Sequence, residues 1–204
     1  MALHRALEAG LRVSSLFTMV SPEGYSMSHR IPRGLLALQA EALGLPLLEG
    51  TADWGTYEEE FKRALVGLRA TGIRGCIFGD IDLEDHLSWC RRVCRETGLE
   101  AVHPLWGEDQ GVLLDELLQL GYRAVIVVVD LERLGPDWLG RDLDAKAVDE
   151  LLRLGISPCG ETGEYHTLVV DGPVFRREVP LGPRRVLRRG HHAFLDLARE
   201  GDGT

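Results

Sequence analysis

Helix-forming stretches alternate with short apolar runs along most of this chain, and nearly every helical stretch is closed by a glycine. Residues 2–9 are followed by Gly10, 33–43 by Gly44, 83–97 by Gly98, 112–120 by Gly121 and 143–154 by Gly155. Glycine just past a last turn is a common helix stop, because it enters the left-handed conformation without a Cβ penalty. Residues 56–70 form a further helix, in which Tyr57, Phe61, Ala64, Leu65 and Leu68 recur at helical spacing. Candidate strands lie between the helices, at 11–19, 45–48, 75–79, 99–104 and 124–129. The last is an unbroken Ala/Val/Ile run, as expected of a strand buried on both faces. A polar loop at 20–32 carries Pro22, Gly24 and Pro32. Such alternation predicts an α/β fold, a doubly wound parallel sheet with helices on both faces.

Sheets of this kind bind ligands beyond the carboxyl ends of their strands. Thr18 and Met19 end the first candidate strand and Gly79 and Asp80 the third, while Trp106 follows His103-Pro104 after the fourth. They are expected on one rim. After Gly155 the alternation stops. Residues 167–170, 174–179, 185–187 and 193–197 read as short strands separated by Pro or Gly turns. The expected organisation is an α/β domain over 1–155 and a small β-rich C-terminal region over 156–204, its last residues frayed.

A net charge of −9 argues against a general nucleic-acid binder held by phosphate contacts. No apolar run is long enough to span a membrane and no secretory leader is evident, so a cytoplasmic protein is expected. The four cysteines are Cys76, Cys90, Cys94 and Cys159, with no Cys-x-x-Cys pair. Cys90 and Cys94 stand four apart on a helix, which alone does not mark a metal site, and reduced thiols explain them more simply.

Chemical groups concentrate in Gly160-Glu161-Thr162-Gly163-Glu164-Tyr165-His166-Thr167, which runs into Leu168-Val169-Val170 and an Asp171-Gly172-Pro173 stop. It reads as a loop feeding a short strand. The glycines permit a tight turn close to a ligand, with Glu161 and Glu164 directed at it. Two carboxylates and an imidazole, with Thr167 beside them, suit proton transfer or the holding of a cationic substrate. A rigid turn with solvated glutamates is the plainer alternative.

This run resembles the diphthine–ammonia ligase family of ATP pyrophosphatases, whose Gly-Glu-x-Gly-Glu-Tyr-x-Thr signature matches Gly160 to Thr167 and whose following turn matches Gly172-Pro173-Val174-Phe175. Further matches are Thr18-Met19, Gln39-Ala40-Glu41-Ala42, Gly79-Asp80 and Pro104-Leu105-Trp106. The resemblance covers 1 to about 197. It implies an adenine-nucleotide α-hydrolase-like, Rossmann-like domain with ATP and Mg²⁺ as cofactors. It also implies that Glu161, Glu164, His166 and Thr167 are catalytic groups on the acceptor side, and that Thr18, Met19, His29, Gly79 and Asp80 are on the nucleotide side. For Asp80 the role would be a Mg²⁺ or a ribose hydroxyl. Read from the residues alone, Thr18-Met19 equally suits a strand end with one core thioether, and His29 an exposed loop imidazole.

The implied reaction adenylates a substrate carboxylate, releases pyrophosphate and transfers ammonia. In the family the acceptor is the modified histidine of elongation factor 2, and a homodimer is compatible with the resemblance. Two departures stand out. Where family members carry Ser-x-Tyr-Gln-Arg, this chain has Leu83-Glu84-Asp85-His86-Leu87, and the Ser-Gly-Gly-Lys-Asp-Ser phosphate loop does not occur. A mid-sheet strand and its phosphate loop are costly to lose, so the expectation is that further residues precede Met1. The alternative is a non-catalytic nucleotide-binding or regulatory protein that retains the fold.

Overall fold

The computed structural model describes residues 1–27, 29–182 and 185–196. Two parallel strand pairs come first. Helix α1 (Ala2–Glu8) precedes β1 (Leu16–Val20), α2 (Arg33–Leu43) and β2 (Leu47–Thr51), and β1 lies parallel to β2 from Leu16↔Leu47 to Val20↔Thr51. Next come α3 (Tyr57–Ala70), β3 (Gly75–Ile77), α4 (Glu84–Thr97) and β4 (Glu100–Val102), with β3 parallel to β4. Gly44 and Gly98 end α2 and α4 in the left-handed conformation, at φ 70° and 74°.

The remainder is α5 (Gln110–Gln119), β5 (Arg123–Asp130), a 3-10 turn at Pro136–Trp138, α6 (Ala145–Arg153), β6 (Tyr165–Asp171), β7 (Arg185–Arg189) and β8 (His192–Asp196). These last strands join β5 in one antiparallel sheet of order β6-β5-β8-β7. The fold is α/β, with parallel strands followed by a C-terminal antiparallel sheet.

Three strand expectations are corrected. First, β5 is buried as predicted, but it runs antiparallel to both of its neighbours, because an apolar run specifies burial and not partner direction. Its sheet thus draws strands from both sides of residue 155. Second, β1 begins at Leu16 and not at Leu11. The ladder opens with Leu16 N–H donating to Pro46 O at 2.8 Å, and Pro46 has no N–H to continue it. Third, residues 174–179 form no strand. Their amides leave in different directions, Arg176 to Ala42 O, Phe175 to Gly172 O and Val179 to Val170 O. Ser28, Leu197 and the 200–204 tail lie outside the described residues.

The core is organised on both faces of β5. Ala124, Ile126 and Val129 pack with Ala147, Val148 and Leu151 of α6 and with Tyr165. Val125, Val127 and Val128 pack with Leu35 of α2, Leu168, Val170 and Leu195. A register shift between Ile126 and Val128 accompanies the placing of consecutive Val127 and Val128 in the same cluster. A third cluster joins Met19 to Phe61 and Leu65 of α3 and to Val93 and Cys94 of α4.

Helix α6 covers one side of this sheet and starts at Asp144, whose carboxylate accepts from Ala147 N–H at 2.8 Å. Asp144→Ala is expected to lower unfolding free energy by about 1 kcal/mol, the usual worth of an N-cap side chain, as measured by urea denaturation.

Candidate active site

The loop before β6 is built by local hydrogen bonds. Gly160 N–H donates to Ser157 O and Gly163 N–H to Gly160 O, both at 3.0 Å. Tyr165, fully buried, donates its hydroxyl to Pro158 O and pins the loop to the strand. Gly160 has φ +67°, and a Cβ there would stand 2.6 Å from Tyr165 O. The glycine therefore allows the loop to fold against its own tyrosine.

Gln110, the first residue of α5, clamps this loop from outside. Its Oε1 accepts from Ser157 Oγ–H at 2.6 Å and Cys159 N–H at 3.2 Å, while Nε2 donates to Asp82 Oδ2 at 2.6 Å. One amide thus ties the segment after β3 to the segment before β6. Nothing in the sequence around Gln110 signals this role, because its partners are remote in the chain.

That tie brings Glu161 to the acidic segment. The Glu161 carboxyl is raised above the usual range first by burial and then by Asp82 and Asp80, with His86 and the nearby Ile81 amide opposing. Glu161 and Thr167 line one cavity of ≈180 Å³ with Ile81, Leu105, Cys159 and Tyr165. Glu164 is 5% exposed, and its Oε1 accepts from Ser157 N–H at 3.2 Å. Burial pushes its carboxyl up. The Thr162 side chain, the Glu164 and Ser157 amides and the Arg133 charge outweigh that, so the net shift is downward.

Side chains alternate along β6, and the alternation separates the candidate groups. Tyr165 and Thr167 line the Glu161 cavity. His166 instead meets His29 edge-on, with ring centroids 4.5 Å apart, and Leu168 beyond it joins the core cluster on the α2 side. Burial lowers His166 from its ordinary 6.5 to about 4, with His29 and His192 adding to the effect. Burial also lowers His29. The predicted residues thus form two groups, Glu161 with Thr167 and His166 with His29, while Glu164 braces the loop.

On the other strands, Met19 is 5% exposed and packs in the core, and Thr18 lies half-buried opposite Glu49. Gly79 is exposed. Asp80 stands among Cys90, His103 and His86, with carboxylate oxygens 3.6, 3.6 and 3.5 Å from their donor atoms. The structure therefore joins the Asp80 segment to the Glu161 loop and leaves Thr18, Met19 and His29 apart from that junction.

A largely apolar cavity that bears the Glu161 carboxylate thus lies between the segments that follow β3 and β4 and the glycine-bracketed loop before β6. The model of the diphthamide synthase N-terminal domain matches residues 1–101, and that of the C-terminal domain matches residues 109–200. Diphthine–ammonia ligase of Bos taurus is 33% identical over 180 residues, covering 79% of this chain and 67% of the relative. That of Homo sapiens is 31% identical over 179 residues, with the same coverage. That of Schizosaccharomyces pombe is 37% identical over 99 residues, spanning 47% of this chain and 16% of the relative. The chain belongs to the diphthine–ammonia ligase family, whose relatives are named as ligases.

Gly160→Ala is expected to destabilise by roughly 1–3 kcal/mol, since it adds a steric clash to an unfavourable φ. Gly163→Ala meets nothing within 4 Å and should cost only the φ penalty, so thermal melts should rank the pair in that order.

The histidine pair gives an acid-side signature. Because folded His166 resists protonation, the unfolded chain binds more protons below 6.5, and stability falls as pH drops from there toward about 4. Urea melts across that window should show a shallower fall in His166→Gln.

Proposed function

We propose that this protein amidates the carboxylate of diphthine, the substrate class in its relatives' names, with ammonia and at the expense of ATP. The carboxylate displaces pyrophosphate from ATP to give an acyl adenylate. Ammonia then displaces AMP and leaves the amide and one proton. The protein acceptor would be elongation factor 2. Convergence of Glu161 on the Asp80–Asp82 segment supports the reading, because it brings a carboxylate of the family's signature loop to the strand-end rim.

In this reading the two parallel pairs belong to a doubly wound nucleotide-binding sheet within 1–155, and 156–204 supplies the acceptor side. Thr18, Gly79 and Asp80 would lie toward the nucleotide. Mg²⁺ seeks an all-oxygen shell, and Asp80 is surrounded by a thiol and imidazoles, so those neighbours do not fit Mg²⁺ and no step is assigned to it. Glu161 would take the proton that ammonium must lose before attack. Its raised affinity for protons makes it a better base than an ordinary carboxylate. Thr167 would orient the acceptor by hydrogen bonding in the same cavity, and Glu164 would act as a positioning residue through Ser157.

Pyrophosphate release from ATP, with ammonium and diphthine-bearing elongation factor 2, tests this. Glu161→Gln is expected to reduce turnover by about 10²–10⁴-fold with little change in nucleotide affinity. Unchanged turnover in that variant would remove Glu161 as the base. Nucleotide binding with no pyrophosphate release by the unaltered protein would favour a non-catalytic binding role.

A further inference from the structure

A carboxylate, a thiol and an imidazole meet beyond the carboxyl ends of β3 and β4. Asp80 follows β3, Cys90 faces inward from α4, and His103 follows β4 directly. Their donor atoms lie within 4.8 Å of one another. Cys90 Sγ and His103 Nε2 each stand 3.6 Å from Asp80 Oδ2.

His103 is the telling member. Its side chain is 4% exposed, and its Nε2 is buried without a hydrogen-bond partner. The gap of 3.6 Å is too long for a hydrogen bond to Asp80, and buried polar atoms are seldom left unpartnered. The ring stacks on Phe78 with centroids 5.3 Å apart and an interplanar angle of 17°, which fixes its plane. Phe78 is itself held to the strand by its N–H bond to Val102 O at 2.9 Å. A buried nitrogen thus stands beside a carboxylate and a thiol that it does not bond.

We propose that Asp80, Cys90 and His103 are three ligands of a zinc-type divalent cation, with a fourth coordination position left for water or substrate. Ligand atoms about 2.0–2.3 Å from a tetrahedral zinc stand about 3.3–3.8 Å apart, which both separations from Asp80 satisfy. The mixed set of thiolate, imidazole and carboxylate selects a borderline metal and not Mg²⁺ or Ca²⁺. Binding expels the Cys90 proton to solvent and forms a sulfur–metal bond. One thiolate and one carboxylate then neutralise the dication, so the buried assembly carries no net charge. His86 Nδ1, 3.5 Å from Asp80 Oδ1, flanks the carboxylate oxygen left outside the cluster. The site does not depend on the ligase reading.

Co²⁺ added to the reduced, metal-stripped protein is the test, because thiolate ligation gives a near-ultraviolet charge-transfer absorption. The expected result is one Co²⁺ per chain with that absorption, displaced by equimolar Zn²⁺ and unaffected by excess Mg²⁺. Cys90→Ser should abolish the band. His103→Gln and Asp80→Asn should each weaken Co²⁺ binding by at least about a hundredfold, the upper end of what even outer-shell partners cost. Cys94→Ser should retain the band. The unaltered protein decides the matter even if a variant fails to fold, since absence of a stoichiometric thiolate band overturns the proposal. Retention of the band in folded Cys90→Ser, or its loss in folded Cys94→Ser, does so too.

Discussion

Burial of β5 on both faces is the constraint on which the other features depend. Residues 124 to 129 are all buried, and they separate the cluster under α6 from the cluster under α2. A strand so enclosed must pair all its backbone groups, because none can turn to water. It does so with β6 on one edge and, on the other, with β8 along residues 128–130 and with residues 140–143 along residues 124–126. Gln39 of α2 reinforces the arrangement by donating to Val169 O at 2.7 Å, which fastens helix to sheet on the second face. The loop before β6 is presented from this fixed edge, so its chemical groups have a rigid base.

The pleat of β6 then decides which groups can cooperate. Tyr165 and Thr167 fall to the cavity side, and His166 falls to the side of His29. A proton relay among all the candidates of the signature run would have to pass through the sheet. Glu161 is different, because it stands in the loop before the strand begins and is free of the alternation. Partly buried and facing the charges of Asp82 and Asp80, it is the carboxyl of the run whose hold on a proton is strengthened.

The β3–α4–β4 unit contributes through its carboxyl ends. The inner face of α4 carries Cys90 toward Asp80, and its outer part is locked to α3, where Glu58 accepts from Trp89 Nε1–H at 2.8 Å and from both Arg92 nitrogens at 2.7 Å. These contacts hold the helix at the rotation that places the thiol beside the carboxylate. Gln110 links the same rim to the β6 loop, and the cluster at Asp80 and the cavity at Glu161 are therefore parts of one continuous region.

Much of this was legible in the chain. The helices fall within a few residues of their expected bounds, because helical hydrogen bonds are local and their stops are glycines that can be read directly. The signature run disclosed the family and the loop's importance. What the sequence could not disclose was whatever depends on partners far along the chain: that β5 would run antiparallel to its neighbours, that Gln110 would bridge Asp82 and Ser157, and that His103 would face Cys90 and Asp80. Apolar periodicity records only whether a side chain is buried. Which residue it meets there is decided by strand direction, by register and by the rotation of packed helices, and those are settled only when the whole core closes.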